Sequence, residues 1–203
     1  MSSPRPLRPE SPVTPLHSQA AANLRFIRQT MERAASFTAV PGWGLVQLGL
    51  LATVAAVVSA VQPDTWHWIA VWLAVAIIAT PYGFWTMHRK ARKLSTSLWS
   101  TNGRKVLLSF LPPVVASACL SVPLMLGHHD ALLAPSWLLM YGAGIMAAGS
   151  HSVSTVPLMG GAFMGLGVLA FFTPLGWSSV MMGLGFGVLH LVFGTLIARR
   201  HGG

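Results

Sequence analysis

The sequence predicts an all-α fold: a polytopic membrane helix bundle of six transmembrane helices, N-in/C-in, preceded by an amphipathic cytoplasmic helix. Three observations predict it. Only 8% of the 203 residues are charged and 53% are hydrophobic, whereas a soluble domain carries about 25% charge. All thirteen Lys and Arg residues fall into three clusters, at 5–33, 89–105 and 199–200. Between those clusters the only charges are Asp64 and Asp130. Charged side chains are expensive in a bilayer core, so this depletion points to lipid as the solvent.

Taken in order, residues 1–17 hold Pro4, Pro6, Pro9, Pro12 and Pro15. That spacing denies a helix and predicts a disordered tail. The first 42 residues contain no apolar segment followed by a cleavage site, so no cleaved signal is expected. Ser18 is positioned to cap a juxtamembrane helix spanning 18–38. Leu24, Ile27, Met31, Ala34 and Ala35 share one face of it, and Arg25, Gln29, Glu32 and Arg33 another. Such a segment suits the inner membrane surface. Pro41-Gly42 ends it.

The transmembrane domain occupies 39–203. A span needs about 20 apolar residues. Six segments qualify, at about 43–62, 66–87, 106–126, 132–150, 156–173 and 179–198. Two lie between the first and second basic clusters and four between the second and third. Both numbers are even, so every basic cluster falls on one side, and the excess of Lys and Arg makes that side cytoplasmic. Asp64 and Asp130 then fall in outer turns. Trp66, Trp68, Trp137 and Trp177 mark the outer ends and Trp43 and Trp85 the inner ends, where indole prefers to sit. Pro81, Pro112, Pro113 and Pro123 predict kinks in the second and third spans.

Glycines crowd the last three spans. Gly161/Gly165 and Gly183/Gly187 have the spacing that lets helices approach closely, and Gly194 continues the second series. These are expected packing positions, which makes the last three spans the tight half of the bundle and leaves a homo-oligomer open as one partner.

His190 lies within the sixth span, three residues after Gly187 and four before Gly194, on a face expected to meet protein. An intramembrane histidine must find a partner. Its bland role is a hydrogen bond to a neighbouring span. The sharper roles are a cofactor ligand or a proton carrier. His88 and His151 are the other histidines considered as haem ligands, although both are expected at the inner ends and so at a different depth. His128 and His129, beside Asp130, form a short outer turn for which a polar surface is expected rather than a metal site. The lone Cys119 excludes an intrachain disulfide.

The inventory argues against several enzymes. Ser150 and His190 suggest an intramembrane serine protease, but the G-x-S-G motif is absent and the chain reads Ala148-Gly149-Ser150-His151. Magnesium-dependent lipid transferases need carboxylates, and the chain has four acids in all. No phosphate-binding glycine fingerprint occurs in the 89–105 loop. The net charge of +9 belongs to membrane orientation and anionic headgroups, not to direct nucleic-acid binding.

Three stretches, LRFIRQTMERAASFTAVPGWG (24–44), VPLMGGAFMGLG (156–167) and GFGVLHLVFGTLIARRHGG (185–203), resemble a family of uncharacterised bacterial six-transmembrane-helix inner-membrane proteins. The resemblance covers about residues 24–203. It implies a multi-pass protein of the bacterial inner membrane. Such proteins accompany small winged-helix regulators, which implies a sensing or regulatory role. The expected function is therefore a non-enzymatic sensor, scaffold or accessory subunit. Its cytoplasmic face would engage a protein partner or anionic lipid through Arg25, Arg28, Arg33, Arg89, Lys90, Arg92 and Lys93. No cofactor is required by this reading. The alternatives are a haem- or quinone-binding carrier using His190, and a permease for a small neutral solute.

Overall fold

The computed structural model describes residues 16–34 and 38–201, and every element among them is helical. The expectations for the proline-rich tail up to Pro15 and for Ala35 lie outside the described residues. The chain forms two units, Met1–Ala35 and Ser36–Gly203. The first holds helix α1 (Leu16–Ala34). Ser18 lies inside its first turn, so it is not the cap. Leu24, Phe26, Ile27 and Met31 of α1 are exposed, so the apolar stripe read from the sequence is uncovered.

The second unit begins with α2 (Gly42–Ala60) and α3 (Thr65–Lys93). Asp64 starts α3 by accepting a hydrogen bond from the backbone N–H of His67 at 3.0 Å, which satisfies one of the unpaired donors of the first turn. At 29 residues, α3 is about 43 Å long. That exceeds a hydrocarbon core of about 30 Å, so one end projects beyond it. Ser100 caps α4 (Thr101–Leu126) in the same manner, accepting from Gly103 N–H at 3.2 Å. A 3₁₀ turn, Asp130–Leu132, leads into α5 (Leu133–Gly149), followed by α6 (Thr155–Ala170). The last helix is composite. A 3₁₀ turn, Leu175–Trp177, precedes α7 (Ser178–Met182), a π segment (Gly183–Leu189) and α8 (His190–His201).

Five of these helical stretches are long and apolar enough to cross a membrane: Gly42–Ala60, Thr65–Lys93, Thr101–Leu126, Asp130–Gly149 and Leu175–Arg200. The sixth apolar helix, α6, has 16 residues. Its length of about 24 Å is short of a full hydrocarbon core. The prolines of the second and third spans fall within α3 and α4, which run through them.

Burial sorts the helices. Half of the apolar window of α5 is buried and 44% of that in the last helix, against 11% in α3 and 6% in α4. The central elements are therefore α5 and the last helix. α3 and α4 lie at the periphery and present Ile77, Ile78, Leu108 and Leu111 outward, as a lipid-facing surface requires.

Two seams hold the centre together. Along α5 and α6, a methyl added at Gly142 would lie 2.7 Å from the Gly160 carbonyl oxygen, and one at Gly167 would lie 2.8 Å from Leu139 N. Along α2 and the last helix, a methyl added at Gly49 would lie 2.9 Å from the Gly187 carbonyl oxygen, and one at Gly194 would lie 2.8 Å from Val46 N. A methyl at Gly183 would press on Ala56, and one at Gly42 on the backbone of Ala198. Side chains would push these backbones apart.

Both seams correct the sequence reading. Gly183, Gly187 and Gly194 do pack, but against α2, so the first span joins the tight part of the bundle. Gly161 and Gly165 do not make the α5–α6 seam. A methyl on Gly165 would meet nothing within 4 Å, and one on Gly161 would meet only the mobile end of Met146. The seam uses Gly160 and Gly167 because α6 is rotated to turn Phe163, which is 0% exposed, into the core. Gly160, Phe163 and Gly167 share a face at i, i+3 and i+7.

At the end carrying Asp64 and Asp130, indoles and hydroxyls tie five elements together. Trp68 Nε1 donates to Ser179 Oγ at 2.9 Å, and Ser59 Oγ donates to the same oxygen at 2.9 Å. Trp137 Nε1 donates to Ser121 Oγ at 2.7 Å. Trp68 and Trp137 stack with centroids 5.5 Å apart.

Candidate functional site

The π segment has the sequence GLGFGVL. Its three glycines are weak α-helix formers, and the wider turn they accept is a form found mostly at functional sites. It sets Phe186 and His190 one turn apart on a common face, with rings stacked at 6.0 Å and 17°.

His190 is 3% exposed. Phe163 of α6 meets its ring edge-on at 5.3 Å. The Tyr141 hydroxyl of α5 lies 2.9 Å from Nε2. Tyr141 also contacts Phe186 at 4.7 Å, Phe163 at 5.0 Å and Phe110 of α4 at 5.6 Å. The Nδ1 atom is buried with no hydrogen-bond partner. A proton on Nδ1 leaves the Nε2 lone pair for the phenol. In that tautomer Tyr141 donates and His190 accepts.

The aromatic cluster continues toward the acidic end. Phe186 touches Trp72 at 6.1 Å, Trp72 touches Trp68 at 6.2 Å, and Trp68 stacks on Trp137. Trp72 Nε1 is the second buried polar atom without a partner among the described residues.

This geometry places the histidines named from the sequence. His190 does face protein, as its surrounding glycines suggested, but it points to α5 and α6 while Gly187 and Gly194 point to α2. His88 is exposed at the far end of α3, and His151 is half-buried in the α5–α6 connection. Among the described residues no three His, Cys, Asp or Glu side chains come together to hold a metal ion. The rings of Tyr141, Phe163 and Phe186 close around His190, and the Tyr141 hydroxyl lies against Nε2. Ser150 Oγ donates to the Ala147 carbonyl at 2.7 Å and is not directed at His190. Sequence reasoning missed Tyr141. The available signal was that its hydroxyl, within a span, also needs a partner.

At the opposite end, Arg89, Arg92, Lys93, Arg104, Lys105, Arg199 and Arg200 are exposed. The Arg89 guanidinium sits 5.5 Å from the centre of the Trp85 ring, within cation–π range. Lys90 departs from the expected headgroup or partner contact. It is 6% exposed, and its Nζ donates to the Val40 carbonyl at 2.9 Å. It therefore fastens the segment before α2, where Ala39 and Val40 are buried. On α1, Arg25 and Arg28 are exposed, and the Arg33 side chain lies outside the described residues.

The acidic end holds a cavity of about 330 Å³ lined by Asp64, Thr65, Trp66, Met125, His128 and Asp130, among others. Thr65 Oγ1 donates to Asp130 Oδ2 at 2.7 Å. The backbone N–H and the ring of His67 hold the Asp64 carboxyl below its usual range. His128 adopts a left-handed backbone, φ 56°.

Fold and site together define a helical membrane protein with an aromatic interior around one histidine and a cationic end. No protein-family model, curated protein or solved structure matches the chain.

Proposed function

We propose that the chain is a non-catalytic sensor, scaffold or accessory subunit of the bacterial inner membrane. It crosses the bilayer six times, with both termini and the basic end in the cytoplasm. In this reading the 16-residue α6 is the sixth span, completed by the residues of its flanking turns. The carrying observation is the separation of charge. Every Lys and Arg of the bundle unit sits at one end, and its two carboxylates sit at the other. The positive-inside bias then orients the bundle.

The working surface is the cytoplasmic face. α1 offers exposed Leu24, Ile27 and Met31 beside exposed Arg25 and Arg28. The region from the end of α3 to the start of α4 offers Arg89, Arg92, Lys93, Arg104 and Lys105. An apolar stripe beside cations suits a membrane surface rich in anionic lipid, or an acidic amphipathic partner. The resemblance to bacterial six-span proteins found with regulators favours a signalling role for that contact.

The test is a photo-crosslinker placed at position 92 or 93 of the full chain in native membranes. Crosslinks to protein or to anionic lipid, lost when 18–37 is deleted while the protein still inserts, support the reading. Crosslinks unchanged in pattern when Arg28 and Arg89 are both replaced by Gln would contradict it.

A further inference from the structure

We propose that Tyr141 and His190 form a protein-based redox site, in which the phenol loses an electron and its proton passes to the imidazole. This inference does not rest on the cytoplasmic-face reading, because it concerns residues in the interior of the bundle.

The step needs a base already bonded to the phenol. The Tyr141 hydroxyl is 2.9 Å from His190 Nε2, and in the tautomer protonated on Nδ1 that nitrogen accepts from it. Oxidation breaks the O–H bond of Tyr141, forms an N–H bond on Nε2, and releases one electron. The rings of Phe163 and Phe186 border the pair and keep water from the phenoxyl radical.

The electron has a path. Ring centroids are separated by 4.7 Å from Tyr141 to Phe186, 6.1 Å on to Trp72, 6.2 Å on to Trp68 and 5.5 Å on to Trp137. Trp68 and Trp137 are half-buried at the acidic end, where an oxidant can approach. A lipid peroxyl radical is an oxidant of the required class. It takes the electron and one proton from interfacial water and becomes a hydroperoxide, so charge balances: one proton is consumed outside and one stays on His190.

Acid–base chemistry along the path directs the electron hole to Tyr141. A tryptophan radical cation persists unless its indole proton has a base to receive it. Trp72 Nε1 has no partner at all, and Trp68 and Trp137 donate only to serine hydroxyls. The other tyrosine, Tyr82, donates to the amide oxygen of Gln47, which is not a base. Of Tyr82, Tyr141, Trp68 and Trp137, Tyr141 alone has an imidazole at its polar hydrogen.

The experiment is flash oxidation of the full chain in nanodiscs by photogenerated tris(bipyridine)ruthenium(III), read by electron paramagnetic resonance after freeze-quenching. The expected result is a tyrosyl radical in the native protein and in Tyr82→Phe, and none in Tyr141→Phe. His190→Gln and His190→Phe should lower its rate of formation about 100-fold, the scale of a positioned base, and should abolish the solvent deuterium effect. Trp72→Phe should slow formation while leaving the radical on tyrosine. Circular dichroism and monodisperse elution check that each variant is folded, and the two His190 replacements guard against one of them misfolding. A radical that remains on tryptophan, follows Tyr82, or forms equally fast without His190 would overturn the proposal.

Discussion

Lys90 Nζ donates to the Val40 carbonyl at 2.9 Å, joining the end of α3 to the segment that enters α2, 50 positions earlier. A cationic donor at 6% exposure is held in one place, whereas Lys93, three residues on, is exposed. The two lysines should therefore behave differently. Lys90→Met is expected to cost about 1–3 kcal/mol and to speed proteolysis before α2. Lys93→Met should stay within about 0.5 kcal/mol of the native protein. Unfolding in detergent measures both, and equal effects would remove the clamp from the account.

The Tyr141–His190 bond predicts a second stability difference. Tyr141→Phe leaves the buried Nε2 without a donor, at an expected loss of about 1–3 kcal/mol. Replacing both residues by Phe should cost less than the sum of the two single changes, because an apolar pair leaves no orphaned group. A double-mutant cycle by reversible unfolding reads this directly. Strict additivity would show that the two side chains do not interact.

The rotation of α6 makes neighbouring glycines unequal. Gly160→Ala drives a methyl into the backbone of Met146 and should cost about 1–3 kcal/mol. Gly165→Ala meets open space. It should be neutral, or stabilising by up to about 1 kcal/mol from helix propensity. Reversal of that order, measured by thermal unfolding, would mean that Gly161 and Gly165 form the true seam.

Asp64 supplies a dependence on pH. Its folded-state carboxyl is held below the usual range, first by the His67 backbone N–H and then by the His67 side chain. A depressed carboxyl stabilises the folded state fully above its unfolded pKa. That contribution is lost as pH falls through the folded value. The native protein should accordingly lose stability on the acid side of the ordinary carboxylate range. Asp64→Asn should flatten that limb and leave neutral and alkaline behaviour unchanged. An unaltered acid limb would count against the cap.

The membrane helices were legible in the sequence because apolar length and charge placement act at the scale of a whole span. Single-residue register was not. One residue of rotation separates Gly160 from Gly161, and only the burial of Phe163 selects between them. The π segment has no sequence signature beyond its glycines, so the turn that aims His190 at α5 went unseen. Lys90 sits in RKARK among solvated neighbours, and nothing local marks it for burial. That came from α3 running past Met87 to Lys93 and from residues 39–40 folding back against it. Tyr141 could have been paired with His190 in advance, since each is a polar side chain inside a span and each needs a partner.

The central claim is that lipid surrounds the bundle and that its basic end faces the cytoplasm. Cysteines introduced singly as Asp64→Cys and Ser97→Cys, in a background lacking Cys119, can be treated with a membrane-impermeant thiol reagent in intact cells. The account predicts labelling at 64, and labelling at 97 only after the membrane is opened. Reaction at 97 and not at 64 in intact cells, or a chain that stays in solution without detergent, would contradict it.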